Sequence, residues 1–397
     1  MEKPDLAVER SEMLQRASDL VPAIKARAQE TEELCHLPGA TVKELHESGL
    51  WRAVQPSRVG GGGFDFGLIV ELADIFGLAC GSTAWTYANL AVHHWMLANW
   101  PEQAQDTIWG PDPNTLIATS VIFPAARAKR VKDGYRLTGR WPFCSGILHC
   151  DWSIHGGLVD PEHPDGNDEP RIFIVPKEEL EIFDTWHAMG LRGTGSRDVA
   201  CQDLFVPDYM TIAAADVKGG DHPGMGINPA LQYRLPMAAM FSHPIASPLL
   251  GIANGAYHDT VKILQARAST FNKSKLSQHL TLQRAIAKSG ALIDSARLLL
   301  RSNCSEALTI AESGESFAEE VRFRWRRDAA HAADMCIEAV ELLYRSVGGS
   351  AVYSSHPLQR FLRDIQTGAN HIGVSFDVNG SAYGRIALGL PSDNPII

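Results

Sequence analysis

At 397 residues, with 45% hydrophobic and 21% charged residues, the chain has an ordinary globular balance and room for two or three units around a large core. A net charge of −10 excludes a broad nucleic-acid-binding surface, which needs clustered Lys and Arg. The seven cysteines are dispersed, with no CxxC and no close Cys/His cluster, so no zinc or other metal site is expected and the thiols read as reduced and cytoplasmic. The charged start, MEKPDLAVERSEML, does not read as a signal peptide, and no apolar run reaches membrane-spanning length.

Residues 5–112 read as helical, with Leu45, Leu50 and the apolar residues of 68–76 recurring at helical spacing. The four glycines at 60–63 interrupt that pattern. No GxxxxGK[ST] follows and no strand precedes them, so they read as a turn and not a phosphate loop. The VHHW stretch at 92–95 puts His93 one helical turn from Asn89 and Leu97. His94 points about 100° away from it, so one of the two histidines at most faces a given pocket.

From Thr115 the texture becomes β. TLIATSVIF, the Asp133-Gly134 hairpin signal inside AKRVKDGYRLTGRW, then DWSIHGGLV, RIFIVP, LEIFDTW and DVACQDLFVP are all of strand length. In GRWPFCSGILHCDW, strand alternation puts Trp141, Phe143 and Ser145 on one face. They form either plain core with a satisfied serine or a platform for a flat heteroaromatic ring, with the hydroxyl aimed at its polar edge. Gly190 and the run Arg192, Gly193, Thr194, Gly195, Ser196 force an irregular turn before the last strand.

A Gly/Pro/Asp-rich linker at 208–230 returns the chain to helix, expected at 283–301, 321–347 and 361–376, with Gly348-Gly349 as a stop signal. The basic run Arg322, Arg324, Arg326, Arg327 reads as a solvated or subunit-facing helix side. On the last helix, Asp364, Thr367, His371 and Ser375 form a polar stripe beside an apolar face. The expected organisation is an N-terminal helical unit at 1–114, a β unit at 115–207 and a C-terminal helical unit at 208–397.

GLRGTGSRDV…LFVP followed by a long helical half resembles the acyl-CoA dehydrogenase superfamily over essentially the full length. The resemblance implies an α+β, mostly α fold: a helical domain, a middle β-domain and a C-terminal four-helix bundle. The dehydrogenase branch commonly takes its catalytic Glu from the segment after the late RD motif. RDIQTGANHIGVSFD has no Glu, and His371 and Ile372 fall roughly at its place. GSTAW…VHHWMLANWPEQAQDTIW, GRWPFCSG…H…W and RD…NH…S.D are more similar to the oxygenase components of two-component flavin-dependent monooxygenases.

That likeness implies reduced flavin, FADH2 slightly favoured over reduced FMN, supplied by a separate NAD(P)H-flavin reductase. With dioxygen it forms a C4a-hydroperoxyflavin that hydroxylates a small phenolic or indolic substrate. His93 (or His94), Ser145 and His371 then face flavin and substrate as the catalytic set. His93 orients the substrate, Ser145 bonds the flavin near N5, and His371 accepts a substrate proton or holds developing charge. Ser120, Trp141, Phe143, Arg267, Phe271, Gln283, Gly348 and Gly349 are the further expected cofactor contacts, with the flavin reaching a neighbouring subunit of a homotetramer. The alternatives are an FAD-dependent acyl-CoA dehydrogenase-like oxidoreductase, an N- or S-oxygenating relative, and a non-catalytic helical oligomer.

Overall fold

The computed structural model describes residues 9–161, 167–269 and 273–392. Six helices come first: α1 (Arg10–Ala26), α2 (Ala28–Leu34), α3 (Gly39–Glu47), α4 (Gly67–Gly77), α5 (Gly81–Leu97) and α6 (Glu102–Trp109). Every residue of α5 is buried. A helix covered on all sides is a core element, and α5 is packed between α4, α8 and the first strand. Tyr87 stacks on Trp51 and meets Phe76 edge-on, with ring centroids 5.6 and 4.8 Å apart. Depth accounts for the run of tryptophan, tyrosine and alanine where a surface helix carries charges.

The strands are β1 (Ile117–Ser120), β2 (Ala126–Val131), β3 (Gly134–Cys144), β4 (Trp152–Val159), β5 (Glu169–Pro176), β6 (Glu181–Phe183), β7 (Arg197–Pro207) and β8 (Thr211–Ala213). They make one sheet in the order β6-β7-β3-β2-β4-β5-β8, with β1 parallel to the start of β4. A two-residue loop, Lys132-Asp133, turns β2 into β3 with Asp133 at φ 62°, and Gly134 is already paired with Val131, one residue earlier than the Asp-Gly hairpin signal places the strand. The sheet continues past the expected boundary at 207, because β8 pairs antiparallel with β5.

The remaining helices are α7 (Met237–Met240), α8 (Ser242–Ala266), α9 (Leu280–Ser313), α10 (Glu319–Val347), α11 (Pro357–Ala369) and α12 (Phe376–Ala387). α8 packs on α4 and α5 as well as on α9, α10 and α11, so the N- and C-terminal helices share one core. Gly348 stops α10 with φ 74°.

The helix expected at 361–376 is broken. Thr367 Oγ1 and Asn370 Nδ2 turn back onto the carbonyls of Arg363 and Gln366. The His371 ring then caps a new short turn at Gly373 N. Side chains that bond nearby backbone compete with continued helix. The stripe Asp364–Thr367–His371–Ser375 therefore does not exist as one helical face.

Candidate active site

The end of β3 departs from the alternation its sequence suggests. The register with β7 shifts between Trp141 and Cys144, and Phe143 takes a left-handed φ of 64°. A bulge re-aims the side chains that follow it. Trp141 is consequently sealed in the core, donating its indole N–H to Gly156 O at 2.7 Å and stacking on His155. Phe143 is 60% exposed, edge-on to Trp186. The expected common face of Trp141 and Phe143 is thus corrected: of the pair, only Phe143 offers an open ring.

Ser145 lies just past the bulge, and Gly146 N donates to Thr194 O at 2.9 Å, tying this turn to the glycine-rich loop at 190–196. That loop is wedged between helices. A Cβ on Gly190 would lie 2.1 Å from Arg363 O, and one on Gly193 would lie 2.3 Å from Thr31 Cγ2. Its backbone amides are held from a distance: Leu191 N donates to Asp364 Oδ1 at 2.7 Å, and Gly193 N to Ser82 Oγ at 3.1 Å. The loop delivers the hydroxyls of Thr194 and Ser196 beside Ser145, with Ser145 Oγ to Ser196 Oγ 2.7 Å and Ser196 Oγ to Thr194 Oγ1 2.6 Å.

On α5, Trp85 joins the two candidates that lie farthest apart in the chain. Its indole N–H donates to Ser145 Oγ at 3.2 Å, and its rings meet the His371 imidazole edge-on at 5.8 Å. Ser82, Trp85 and Asn89 keep slight exposure while most of α5 has none, so this is the open side of the helix.

His371 Nδ1 accepts the Gly373 amide at 3.0 Å. Enclosure by protein, with the Arg326 charge adding to it, lowers its pKa to about 4. A neutral ring whose Nδ1 accepts carries its hydrogen on Nε2. Arg326 belongs to the basic run read as a solvated or subunit-facing helix side, yet its head group turns inward. It is half-buried, donating to Ala238 O at 2.6 Å and to Asn379 Oδ1 at 2.9 Å, while Asn379 Nδ2 holds the Ile372 carbonyl at 3.0 Å. The His371 turn is thereby fastened to α10.

His93 has the opposite tautomer. Its Nδ1 lies 2.5 Å from Ile117 O, which can only accept, so Nδ1 carries the hydrogen and Nε2 is a buried lone pair without a partner. Burial lowers its pKa to about 4. Its ring stacks on Phe241 at 6.5 Å, and one turn along, Ile245 abuts the His371 turn at Gly373. His94 points elsewhere, stacking on Trp109 toward Arg52 and His46.

The outlying candidates divide. Ser120 Oγ donates to Pro142 O at 2.7 Å, next to Phe143. Arg267 Nη1 donates to Ser350 Oγ at 2.8 Å, forming a polar corner beside Gly348 and Gly349. Gln283 is exposed and bonds Ser277 O, and Phe271 lies outside the described residues. Trp85, Thr194, Ser196, Arg326, Asn379 and Asp364 carry no assigned role in the sequence reading. The polar GTGS run and the stripe aspartate were the available signals.

Residues 244–376 match the family model for the acyl-CoA dehydrogenase C-terminal domain. The chain is 33% identical to the flavin-dependent monooxygenase oxygenase subunit HsaA of Rhodococcus jostii, covering 97% of this chain and 100% of that protein. It is 31% identical to the FADH2-dependent resorcinol hydroxylase oxygenase component of a Rhizobium species, covering 94% of this chain and 93% of that one. The crystal structure of the HsaA monooxygenase from Mycobacterium tuberculosis superposes with a TM-score of 0.92 at 32% identity, covering 98% of this chain and 100% of that chain.

Proposed function

The chain belongs to the oxygenase components of two-component flavin-dependent monooxygenases, on the acyl-CoA dehydrogenase fold, and from that membership we propose that it hydroxylates a small phenolic or indolic ring between Ser145, His93 and His371. The observation that carries this assignment of residues is the convergence of Ser145 and His371 on one indole, Trp85. A dehydrogenase base has no counterpart there, since the His371 turn holds no carboxylate.

Reduced flavin, delivered by a separate NAD(P)H-dependent reductase and slightly favoured as FADH2, would when bound supply the dioxygen-activating chemistry that puts one oxygen atom on the substrate and the other into water. The residues fit such a group. Phe143 offers an uncovered aromatic face backed by Trp186 for a flat ring. Ser145 Oγ, bonded to Trp85 and Ser196, keeps one further hydrogen-bonding position for the ring's N5 edge, and Ser120 supports the same turn through Pro142. Trp85 shields Ser145 on one side and limits water there. Arg267, beside Gly348 and Gly349, suits the cofactor's phosphate from a neighbouring copy.

The tautomers divide the proton work. His93 Nε2 accepts a hydrogen bond from the substrate's hydroxyl or indole N–H, which raises the electron density of the ring to be attacked. His371 Nε2–H donates toward the oxygen that is transferred or left behind. This reverses the expectation that His371 takes the substrate proton, because its only other nitrogen already holds Gly373.

A homotetramer is supported by apolar side chains left uncovered at Leu280 and Leu298 of α9, at Phe376 and Val378 of α12 and at Leu388 and Leu390 beyond it. The cytoplasmic reading rests on seven unpaired thiols, and no helix among the described residues is long and apolar enough to cross a membrane. The test is direct. The protein is mixed with a flavin reductase, NADH, FAD or FMN and oxygen, and phenols and indoles are screened by mass for one added oxygen atom. Product with none of them, under conditions where oxygen is consumed, would refute the aromatic reading.

A further inference from the structure

Between Trp85 and His93 on α5 stands a polar side chain with no part in the assignments above. Asn89 lies four residues from each, so the three share one side of the helix. It is 6% exposed, where most of α5 is sealed. The helix backbone fixes the orientation of its amide. Asn89 Nδ2 donates to the Trp85 carbonyl at 2.9 Å, and that carbonyl can only accept, so a flipped amide would set two acceptors against each other. The nitrogen end is anchored on the helix and the oxygen end is turned away from it. No donor among the described residues bonds Asn89 Oδ1, and the oxygen is not enclosed. A carbonyl oxygen that has left bulk water without gaining a donor is costly, so a ligand that brings the donor is favoured.

One turn further on, His93 Nε2 is also an acceptor without a partner. Side chains four residues apart have Cβ atoms about 5–6 Å from each other. We propose that Asn89 Oδ1 is a second acceptor for the substrate, so that the ring to be hydroxylated carries two hydrogen-bond donors on non-adjacent positions: a meta or para benzenediol, an aminophenol or a hydroxyindole. One donor goes to His93 and the other to Asn89. Donors on adjacent carbons lie too close together to reach acceptors rooted one helical turn apart. A ring held at two points cannot swivel about its first hydrogen bond, so Asn89 determines specificity and also which carbon is presented for attack. Asn89 lies beyond Trp85 on the His93 side, away from the Trp85–Ser145 contact where the flavin edge is placed. The inference rests on the reading above that the substrate bonds His93.

The test compares kcat/KM for resorcinol, hydroquinone and catechol, each against its monomethyl ether, in the reductase-coupled assay with products identified by mass. Each ether keeps one hydroxyl for His93 and loses the second donor. Wild type is expected to favour resorcinol and hydroquinone over their ethers about tenfold, the worth of one hydrogen bond, mostly through KM. Catechol should show no such preference. Asn89→Leu, of nearly the same size, and Asn89→Ala remove the acceptor and should abolish the preference. The wild-type ratios need no variant, so they decide the matter if neither variant folds: ratios near one for both resorcinol and hydroquinone, or an equal preference for catechol, overturn the inference. Anaerobic titration with reduced FAD separates the other role open to this side chain. If Asn89→Leu weakens that binding and leaves the diol preference at its wild-type value, Asn89 serves the flavin and the inference falls. If wild type hydroxylates no phenol or indole, the reading above has failed. If it hydroxylates them with ratios that do not depend on Asn89, that reading stands and only this inference is overturned.

Discussion

The Asp364 carboxylate on α11 accepts the Leu191 amide N–H at 2.7 Å, joining residues 173 apart in the chain. This bond decides where the glycine-rich loop sits, and with it Thr194, Ser196 and Ser145. The carboxylate is fully buried, and desolvation raises its pKa to about 6, against the pull of Leu191 N–H and of the Arg360 and Arg363 charges. Between pH 4 and 6 the folded state therefore binds more protons than the unfolded chain, and stability falls as pH rises through that window. Asp364→Asn keeps an acceptor for Leu191 and removes the buried charge. It is expected to be more stable than wild type at pH 7.5, on the order of 2 kcal/mol, and to lose that advantage by pH 4. Asp364→Ala leaves the amide unpaired and is expected to be less stable. Urea melts at the two pH values check both.

The part of this arrangement that local pattern reveals is limited by range. Strand lengths, the presence of a tight turn at Asp133 and the helical nature of α5 and α10 follow from periodicity and turn chemistry, which are properties of neighbouring residues. The partners of Asp364 and Trp85 are set by packing between segments far apart in the chain, and no local pattern encodes them. The Trp141–Phe143 face fails for a different reason: a bulge with a left-handed Phe143 breaks the period-two rule on which the expectation stood. The His371 stripe fails because Thr367 and Asn370 end the helix that would have carried it. His371 still reaches the site, but on a turn, with a fixed tautomer that helical spacing does not foretell.

Gly190 and Gly193 are expected to be intolerant of any side chain, through close approach and not through unusual backbone angles. A methyl at Gly190 meets the Arg363 carbonyl at 2.1 Å, and backbone cannot step aside as a flexible side chain can. Gly190→Ala should cost about 1–3 kcal/mol of stability. It should also weaken reduced-flavin binding by moving Ser196 away from Ser145. Gly348→Ala, where the added carbon meets nothing, pays only for its left-handed φ, and should leave the position of Ser196 against the same subunit's Ser145 unchanged. Thermal melts and anaerobic flavin titrations separate the two.

His371 has its pKa lowered to about 4 by burial and by Arg326, so its imidazole is neutral near pH 7. The acid limb contributed by this group to hydroxylation is expected near pH 4, well below the 6.5 of a free histidine. His371→Ala should reduce hydroxylation by about 10²–10⁴-fold, with oxygen consumption continuing and its product appearing as hydrogen peroxide. Product and peroxide are measured together in single turnovers. Undiminished product yield in the variant would remove His371 from the reacting groups.

His93 is held by the Ile117 carbonyl with Nε2 as an acceptor, and the matching substrate group is a donor. Wild type is expected to prefer a phenol over its O-methyl ether, which has no hydrogen to give. His93→Ala should raise KM for the phenol roughly tenfold, consistent with one lost hydrogen bond, and leave the ether nearly unaffected, so that discrimination disappears. The reduced-flavin dissociation constant should not change, because Ser145 and its line of hydroxyls are held from Leu191 and not from His93. Equal losses for phenol and ether would mean that His93 shapes the cavity and does not bond the substrate.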